Sequence, residues 1–305
     1  MVVASTTFFY RNHPLILYNQ GMNVLFISDF GLEHNTGGAQ RSNYIIATYG
    51  QKRGHFVHLH NFDSSPLDWL YDWDLVISSN LEVILKKRPD ALAFILKQKR
   101  HIRLEHDMSS YMHPEVRRAL FGQSLQNIFL SDFHIRCFKD TYGDHFPNTS
   151  VVYDPIDSSQ FYNKGKEREP NSILYCGFLH PLKGSNSLIQ YARRRKDCDF
   201  HVYGWGEQKI KDVLAALPNI TVHDPVSYDE VPDLYNKYQY IFHKPVVNEP
   251  FCRMVAEAAI CGMEVIANDK IGAVHEIQKI GVDKFTESCD NAHILFWDIV
   301  ESCIK

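Results

Sequence analysis

The stretch NEPFCRMVAEAAICG, residues 248–262, follows the short apolar run YIFHK at 240–244. An aromatic and β-branched run followed by a segment of helical periodicity is the unit from which covered parallel sheets are built. Pro250 suits a first helical position, which puts Glu249 at or near the N-cap and predicts a helix running on through Glu257. At ~100° per residue, positions eight apart lie within roughly 80° of one another, so both carboxylates should look toward one end of that helix. Taken singly, Glu249 reads as a plain cap and Glu257 as a solvated face residue. Taken together beside a helix N-terminus, acceptor-only carboxylates suit a ligand that carries both hydroxyl donors and a phosphate.

The same unit recurs along the chain. Strands are expected at 23–28, 56–60, 74–79, 101–106 and 127–131 in the first half, with helical stretches between most of them. In the second half they are expected at 172–177, 199–204, 219–223, 240–244 and 264–268. Between the halves, DPIDSSQFYNKGKEREPN at 154–171 is polar, charged and bracketed by prolines, which reads as a linker. The predicted fold is α/β, with two doubly wound Rossmann-like domains facing across a cleft. The divisions are an extension at 1–21, a first domain at 22–153, the linker at 154–171 and a second domain at 172–305, whose last helix is placed against the first domain.

Composition narrows the function classes. At 305 residues, 45% hydrophobic and 13% aromatic, the chain buries a sizeable core and is not disordered. A formal net charge of −4 gives no reason to expect nucleic acid as a partner. Seven scattered cysteines without a C-x-x-C pair read as a reducing compartment, the cytoplasm. The first residues lack the pattern of a signal peptide, and no run approaches the ~18 apolar residues of a spanning helix. Residues 86–118 carry Lys86, Lys87, Arg88, Lys97, Lys99, Arg100, Arg103, Arg117 and Arg118. This run reads either as a face resting on anionic lipid, at the inner side of a membrane, or as a solvated helix surface. No D-x-D follows a strand and the His and Cys spacings match no zinc pattern, so no metal is expected.

Strand ends carry the remaining candidates. After the first strand, DFGLEHNTGGAQRSN (29–43) sets Gly37 and Gly38 directly before a helix, where backbone approaches a ligand and free N–H groups meet an anion. The spacing is not G-x-G-x-x-G, and a plain turn explains a lone Gly-Gly equally. After the fourth strand, EHDMSS (105–110) places His106 and Asp107 where they can orient a hydroxyl or carry a proton. In YCGFLHPLKGSNSLI (175–189), Gly177 ends a strand and Lys183 precedes a helix, a position from which a lysine meets a phosphate or simply stays solvated.

Five of these segments, in one order, resemble retaining GT-B glycosyltransferases of the family 4 type, the group 1 glycosyl transferases. NEPFCRMVAEAAICG is similar to their E-x7-E element, and residues 35–59 to their first glycine loop, helix and second strand. Residues 173–189 are similar to the opening of their second domain, DPID (154–157) to their hinge, and IGAVHEI (271–277) to their G-[GA]-x-x-E element. The resemblance implies transfer of a sugar from a nucleotide-sugar co-substrate, a UDP- or GDP-sugar, to an acceptor hydroxyl with retention of configuration and no metal. It implies that Gly37, Gly38, Gly177 and Gly272 border the donor diphosphate or sugar, and that His106 contacts the transferred sugar. Lys183 would neutralise the diphosphate, Glu249 would hold sugar hydroxyls and Glu257 the ribose. Two positions depart from the family pattern. Phe178 stands where an arginine is usual, with Arg253 as a candidate substitute, and Cys252 stands where a glycine is usual. The departures keep a catalytically silent nucleotide-sugar-binding or scaffold protein as an alternative, with a glycoside hydrolase using both glutamates a minor one. The acceptor, whether saccharide, lipid-linked or protein, leaves no mark that can be read.

Overall fold

The computed structural model describes residues 21–33, 37–65, 69–108, 112–143 and 146–304. The extension expected at 1–21 lies outside these residues except for Gly21. The chain begins with β1 (Asn23–Ile27), α1 (Gly38–Lys52), β2 (Phe56–His60) and β3 (Leu75–Ser78). It continues with α2 (Glu82–Lys87), α3 (Pro89–Lys97), β4 (His101–Leu104), α4 (Pro114–Gln123), β5 (Gln126–Phe129), α5 (Asp132–Tyr142) and β6 (Thr149–Val151). Among the described residues these strands form one parallel sheet ordered β2-β1-β3-β4-β5-β6. LVIS in β3 and VLFI in β1 are buried throughout, as sheets covered on both faces require.

The second half comprises β7 (Glu169–Leu179), α6 (Ser185–Arg194), β8 (Asp199–Gly206), α7 (Gln208–Ala215), β9 (Ile220–His223), α8 (Val231–Lys237) and β10 (Tyr238–His243). Then follow α9 (Arg253–Ile260), β11 (Glu264–Ala267), α10 (Gly272–Ile280), α11 (Val282–Asp290) and α12 (Ala292–Ser302). Their sheet is again parallel, ordered β11-β10-β7-β8-β9. Each order reverses direction at one point, between β1 and β3 in the first sheet and between β7 and β10 in the second. Such switch points open a crevice at the strand carboxyl ends.

The segment 154–171 is packed and not a loose tether. Ile156 and Phe161 are buried, and β7 already begins at Glu169. The two domains touch along α5 and α10. Ser131 donates to the Pro250 carbonyl at 2.6 Å, Glu276 accepts from the Asp132 amide and from Tyr153, and Phe133 stacks on His275 at 4.5 Å. Helix α12 lies on α1, with the Trp297 indole donating to the Ile46 carbonyl at 2.8 Å and Arg53 paired to Asp298 and Glu301.

The basic run at 86–118 does not form one face. Arg103 is fully buried against Glu105 at 2.7 Å, and Arg117 is buried over the Tyr142 ring at 3.5 Å. Lys86, Lys87, Lys97, Lys99, Arg100 and Arg118 are exposed, and Lys86 pairs with Glu82. No helix among the described residues is long and apolar enough to cross a membrane.

Candidate active site in the interdomain cleft

Helix α9 begins at Arg253, not at Pro250. The backbone before it is taken up by the segment entering α10. Glu249 N–H donates to the Lys270 carbonyl, Gly272 N–H donates to the Glu249 carbonyl at 3.0 Å, and Ala273 N–H donates to that of Phe251. Chain paired in this way is extended and cannot also close a helical turn, so the expectation of both glutamates on one helix is corrected. Glu249 stands on an isolated bridge beside Ile271, six residues beyond the end of β10, while Glu257 lies inside α9. Cys252, at the junction, caps the helix in the left-handed region with φ 70°.

This arrangement carries Glu249 across the switch point toward β7. Lys183, in the single 3-10 turn Pro181–Lys183 that follows β7, donates to Glu249 Oε1 at 2.9 Å. His243 at the end of β10 lies 3.0 Å from the same oxygen through Nε2. Burial alone would raise the Glu249 carboxyl, but the hydrogen bond and charge of His243, with Lys183 and Cys252, hold it well below the usual carboxylate range. Burial works against the Lys183 ammonium, and the charge and hydrogen bond of Glu249 outweigh it, so Lys183 is raised. The result is a charge pair at the mouth of the cleft, with the lysine partly exposed.

Facing it, the end of β4 presents His106 and Asp107. His106 is buried, its Nε2 2.9 Å from Asn43 Oδ1 and its Nδ1 3.6 Å from Asp154. Burial keeps the imidazole neutral, lowering it to about 4. Asp107 is exposed at the cleft surface yet walled by protein on its other sides, and it accepts from Asn80. That enclosure, and then the charge of Glu105, push its carboxyl up to about 6, against Lys183, Asn80 and Arg103.

The sign of the resulting pH effect follows by linkage. A carboxyl raised in the fold above its ordinary 3.8 binds more protons folded than unfolded between those values, so stability falls as pH rises through that window. Asp107→Asn should remove this fall. Thermal midpoints of variant and wild type are expected to diverge from about pH 4 to about 6, with the variant gaining, and to run parallel above. A difference independent of pH would refute the raised carboxyl.

Glu257 is not open to a ligand as the resemblance implies. It is buried, and its Oε1 accepts from Arg253 Nε at 2.7 Å and from the Tyr228 hydroxyl at 2.6 Å. Arg253 is itself buried and donates also to Ser42 Oγ at 3.1 Å and to the Tyr228 oxygen at 3.2 Å. Ser42 in turn donates to Asp154 at 2.7 Å. The Arg41 guanidinium lies 3.4 Å over the Tyr228 ring, so this cluster ties α1 of the first domain to α9 of the second. Burial raises the Glu257 carboxyl while the Arg253 charge opposes it.

The glycines divide in use. Gly37 caps α1 and Gly38 begins it without a side-chain cap. A Cβ on Gly38 would sit 3.5 Å from the Arg253 side chain, so the glycine turn packs against that arginine. Gly177 has φ 135° with open space around it, which suits close approach of a ligand. Gly272 serves packing, because a Cβ there would lie 1.9 Å from the Pro250 carbonyl, and its amide is already bonded. The structure therefore brings Lys183, Glu249, His106 and Asp107 around the cleft, whereas Arg253 and Glu257 are bound to each other. His243, Asn43, Ser42, Tyr228 and Asp154 join these clusters unforeseen. Only the strand end YIFHK and the hinge DPID hinted at two of them.

A metal-ligand set was not expected, yet the described residues bring His243, Glu249 and Cys252 together with ligand atoms within 4.8 Å of one another. No spacing rule reveals it, because the three come from a strand end, a loop and a helix cap.

Comparison with known proteins gives the following. No curated protein sequence matches the chain. A family model described as Glycosyl transferases group 1 matches residues 158–299, the second domain with part of the segment entering it. Among solved structures, HepE from Anabaena in complex with UDP-glucose is similar at 17% identity and a TM-score of 0.64, over 93% of this chain and 97% of that one. Sucrose-phosphate synthase from Thermosynechococcus elongatus is similar at 12% identity and a TM-score of 0.67, over 93% and 95%. WaaG, a glycosyltransferase involved in lipopolysaccharide biosynthesis, is similar at 16% identity and a TM-score of 0.59, over 92% and 94%. With its two parallel-sheet domains meeting across a cleft, the chain has the fold of these GT-B glycosyltransferases.

Proposed function

We propose that the protein is a retaining glycosyltransferase of the family 4 type, moving a sugar from a UDP- or GDP-sugar to an acceptor hydroxyl without a metal. The observation that carries this reading is the Lys183–Glu249 pair across the switch point of the second sheet, opposite His106 and Asp107 of the first. The fold's likeness to HepE, solved with UDP-glucose, points the same way. Lys183 meets the charge that grows on the leaving diphosphate, helped by the first turn of α1 at Gly37 and Gly38. Glu249, held ionised, accepts from sugar hydroxyls, and His106 and Asp107 border the reacting carbon. Gly177 gives backbone access to the donor. Gly272 holds the Glu249 loop in place. The donor phosphate takes the acceptor proton on the face it leaves, so no protein nucleophile is called on.

A hydrolase using both glutamates is disfavoured, because Glu257 is buried and bonded to Arg253 and Tyr228. The silent binding protein has one observation in its favour. With Phe178 at the usual arginine position and Arg253 buried against Glu257, Ser42 and Tyr228, only Lys183 of the predicted cations, paired to Glu249 yet partly exposed, has access to a diphosphate.

The test is release of free nucleotide from UDP-, GDP- and ADP-sugars, with and without sugar or lipid acceptors. Glu249→Ala should lower the rate roughly 10²–10³-fold, as removal of one preorganised polar contact to the transition state does. Product anomers read by NMR should keep the donor configuration. Turnover undiminished in the variant would sink the role of Glu249. Saturable nucleotide binding with no release from any donor would favour the silent protein.

A further inference from the structure

The Glu249 carboxylate meets the Lys183 ammonium at 2.9 Å and the His243 imidazole at 3.0 Å, and the Cys252 sulfur lies with both the carboxylate and the imidazole in a group whose atoms are within 4.8 Å of one another. The imidazole and the thiol become metal ligands as soon as their protons are replaced. We propose that His243, Glu249 and Cys252 form a reversible inhibitory site for a thiophilic divalent cation, with zinc the metal that the ligand set suits best.

The chemistry is specific. One imidazole nitrogen, one carboxylate oxygen and one sulfur within 4.8 Å of one another need only small shifts to surround an ion that binds at 2.0–2.3 Å. Hard cations such as magnesium prefer all-oxygen sites and would pass this one by. Three protein ligands leave a fourth position, as in catalytic rather than structural zinc sites. Lys183 is partly exposed on a flexible stem and can swing aside when the cation arrives. On binding, the thiol proton leaves to solvent and the imidazole proton moves to Nδ1. That nitrogen is buried and has no hydrogen-bond partner, so the outer support that tightens most metal histidines is missing. Loss of such support weakens binding ~10–100-fold, which makes the site releasable.

Cys252 is what makes the site. It occupies a left-handed position that glycine would fill without strain, and its sulfur is the only soft ligand of the three. The binding half of the proposal stands on geometry alone. The inhibitory half rests on the function proposed above, because the metal takes Glu249 and displaces Lys183.

The experiment titrates the full chain with cobalt(II), reading thiolate-to-cobalt charge-transfer absorption, and then displaces the cobalt with zinc. Wild type should bind one cobalt with that band. Cys252→Gly, which relieves the backbone, should lose the band and bind zinc at least tenfold more weakly, and His243→Gln should weaken zinc similarly. Inhibition of nucleotide release by zinc, each variant measured against its own metal-free rate, should fall in parallel. A band absent in wild type, or undiminished in Cys252→Gly, overturns the site. Zinc bound as expected without effect on an active enzyme overturns the inhibition. Metal bound as expected in a protein that releases no nucleotide upholds the site and overturns the transferase reading instead.

Discussion

Arg253→Met should cost ~3–5 kcal/mol of stability, because it removes one partner of a buried ion pair and strands the other. Glu257 and Asp154 are both buried, and Tyr228 and Ser42 lose the same guanidinium. Two further measurements separate this cause from a packing defect. The stranded Glu257 would be raised further above its ordinary 4.5, so the variant should be least impaired near pH 4–5 and worsen toward neutrality. Adding Glu257→Leu should recover most of the loss, since apolar replacement of a whole buried pair is often neutral or better. Urea midpoints across pH decide it. A loss that neither shrinks in acid nor responds to the second substitution would show that the charge cluster is not the cause.

Trp297→Ala is the second large effect, and it acts on a different contact. The indole is fully buried in α12 and its plane crosses the place where Gly50 has no side chain, a Cβ there lying 2.1 Å from the ring. Truncation leaves a cavity, the unpaired Ile46 carbonyl and a lost stack on His55, for which ~3–5 kcal/mol is usual. Gly50→Ala should harm the same seam from the opposite side. Leu295→Ala, half-exposed on the same helix, is the control and should change little. If Trp297→Ala unfolds no earlier than Leu295→Ala, then α12 contributes nothing to holding the first domain.

What could be read from the sequence followed from periodicity. The strand expectations at 56–60 and 264–268 differ from β2 and β11 by no more than a residue, because continuous apolar runs between helices leave few other options. β6 escaped notice: three residues, TSV, hold no pattern, and the strand exists because β5 offers it an edge. The start of α9 failed for a related reason. Pro250 satisfies every local rule for a first helical residue, yet the backbone on both sides of it is claimed by residues 270–273. In the candidate site, Lys183, Glu249 and His106 could be singled out because they follow strands whose ends periodicity marks. Partners chosen by folding could not be. Arg253 seemed available for a phosphate, and nothing in one sequence says that Tyr228 and Ser42 reach it first.

The seam between α1 and α12 also sets a schedule. The indole of Trp297 and its acceptor on Ile46 are separated by 251 residues. At ribosomal rates of 5–20 residues per second, α1 emerges roughly 10–50 s before the helix that covers it. During that interval the second domain is made as far as α11, while the groove along Ile46, Ala47 and Gly50 waits uncovered. The first domain to be synthesised is therefore the last to be finished, and its open groove is the surface that a nascent-chain chaperone would meet.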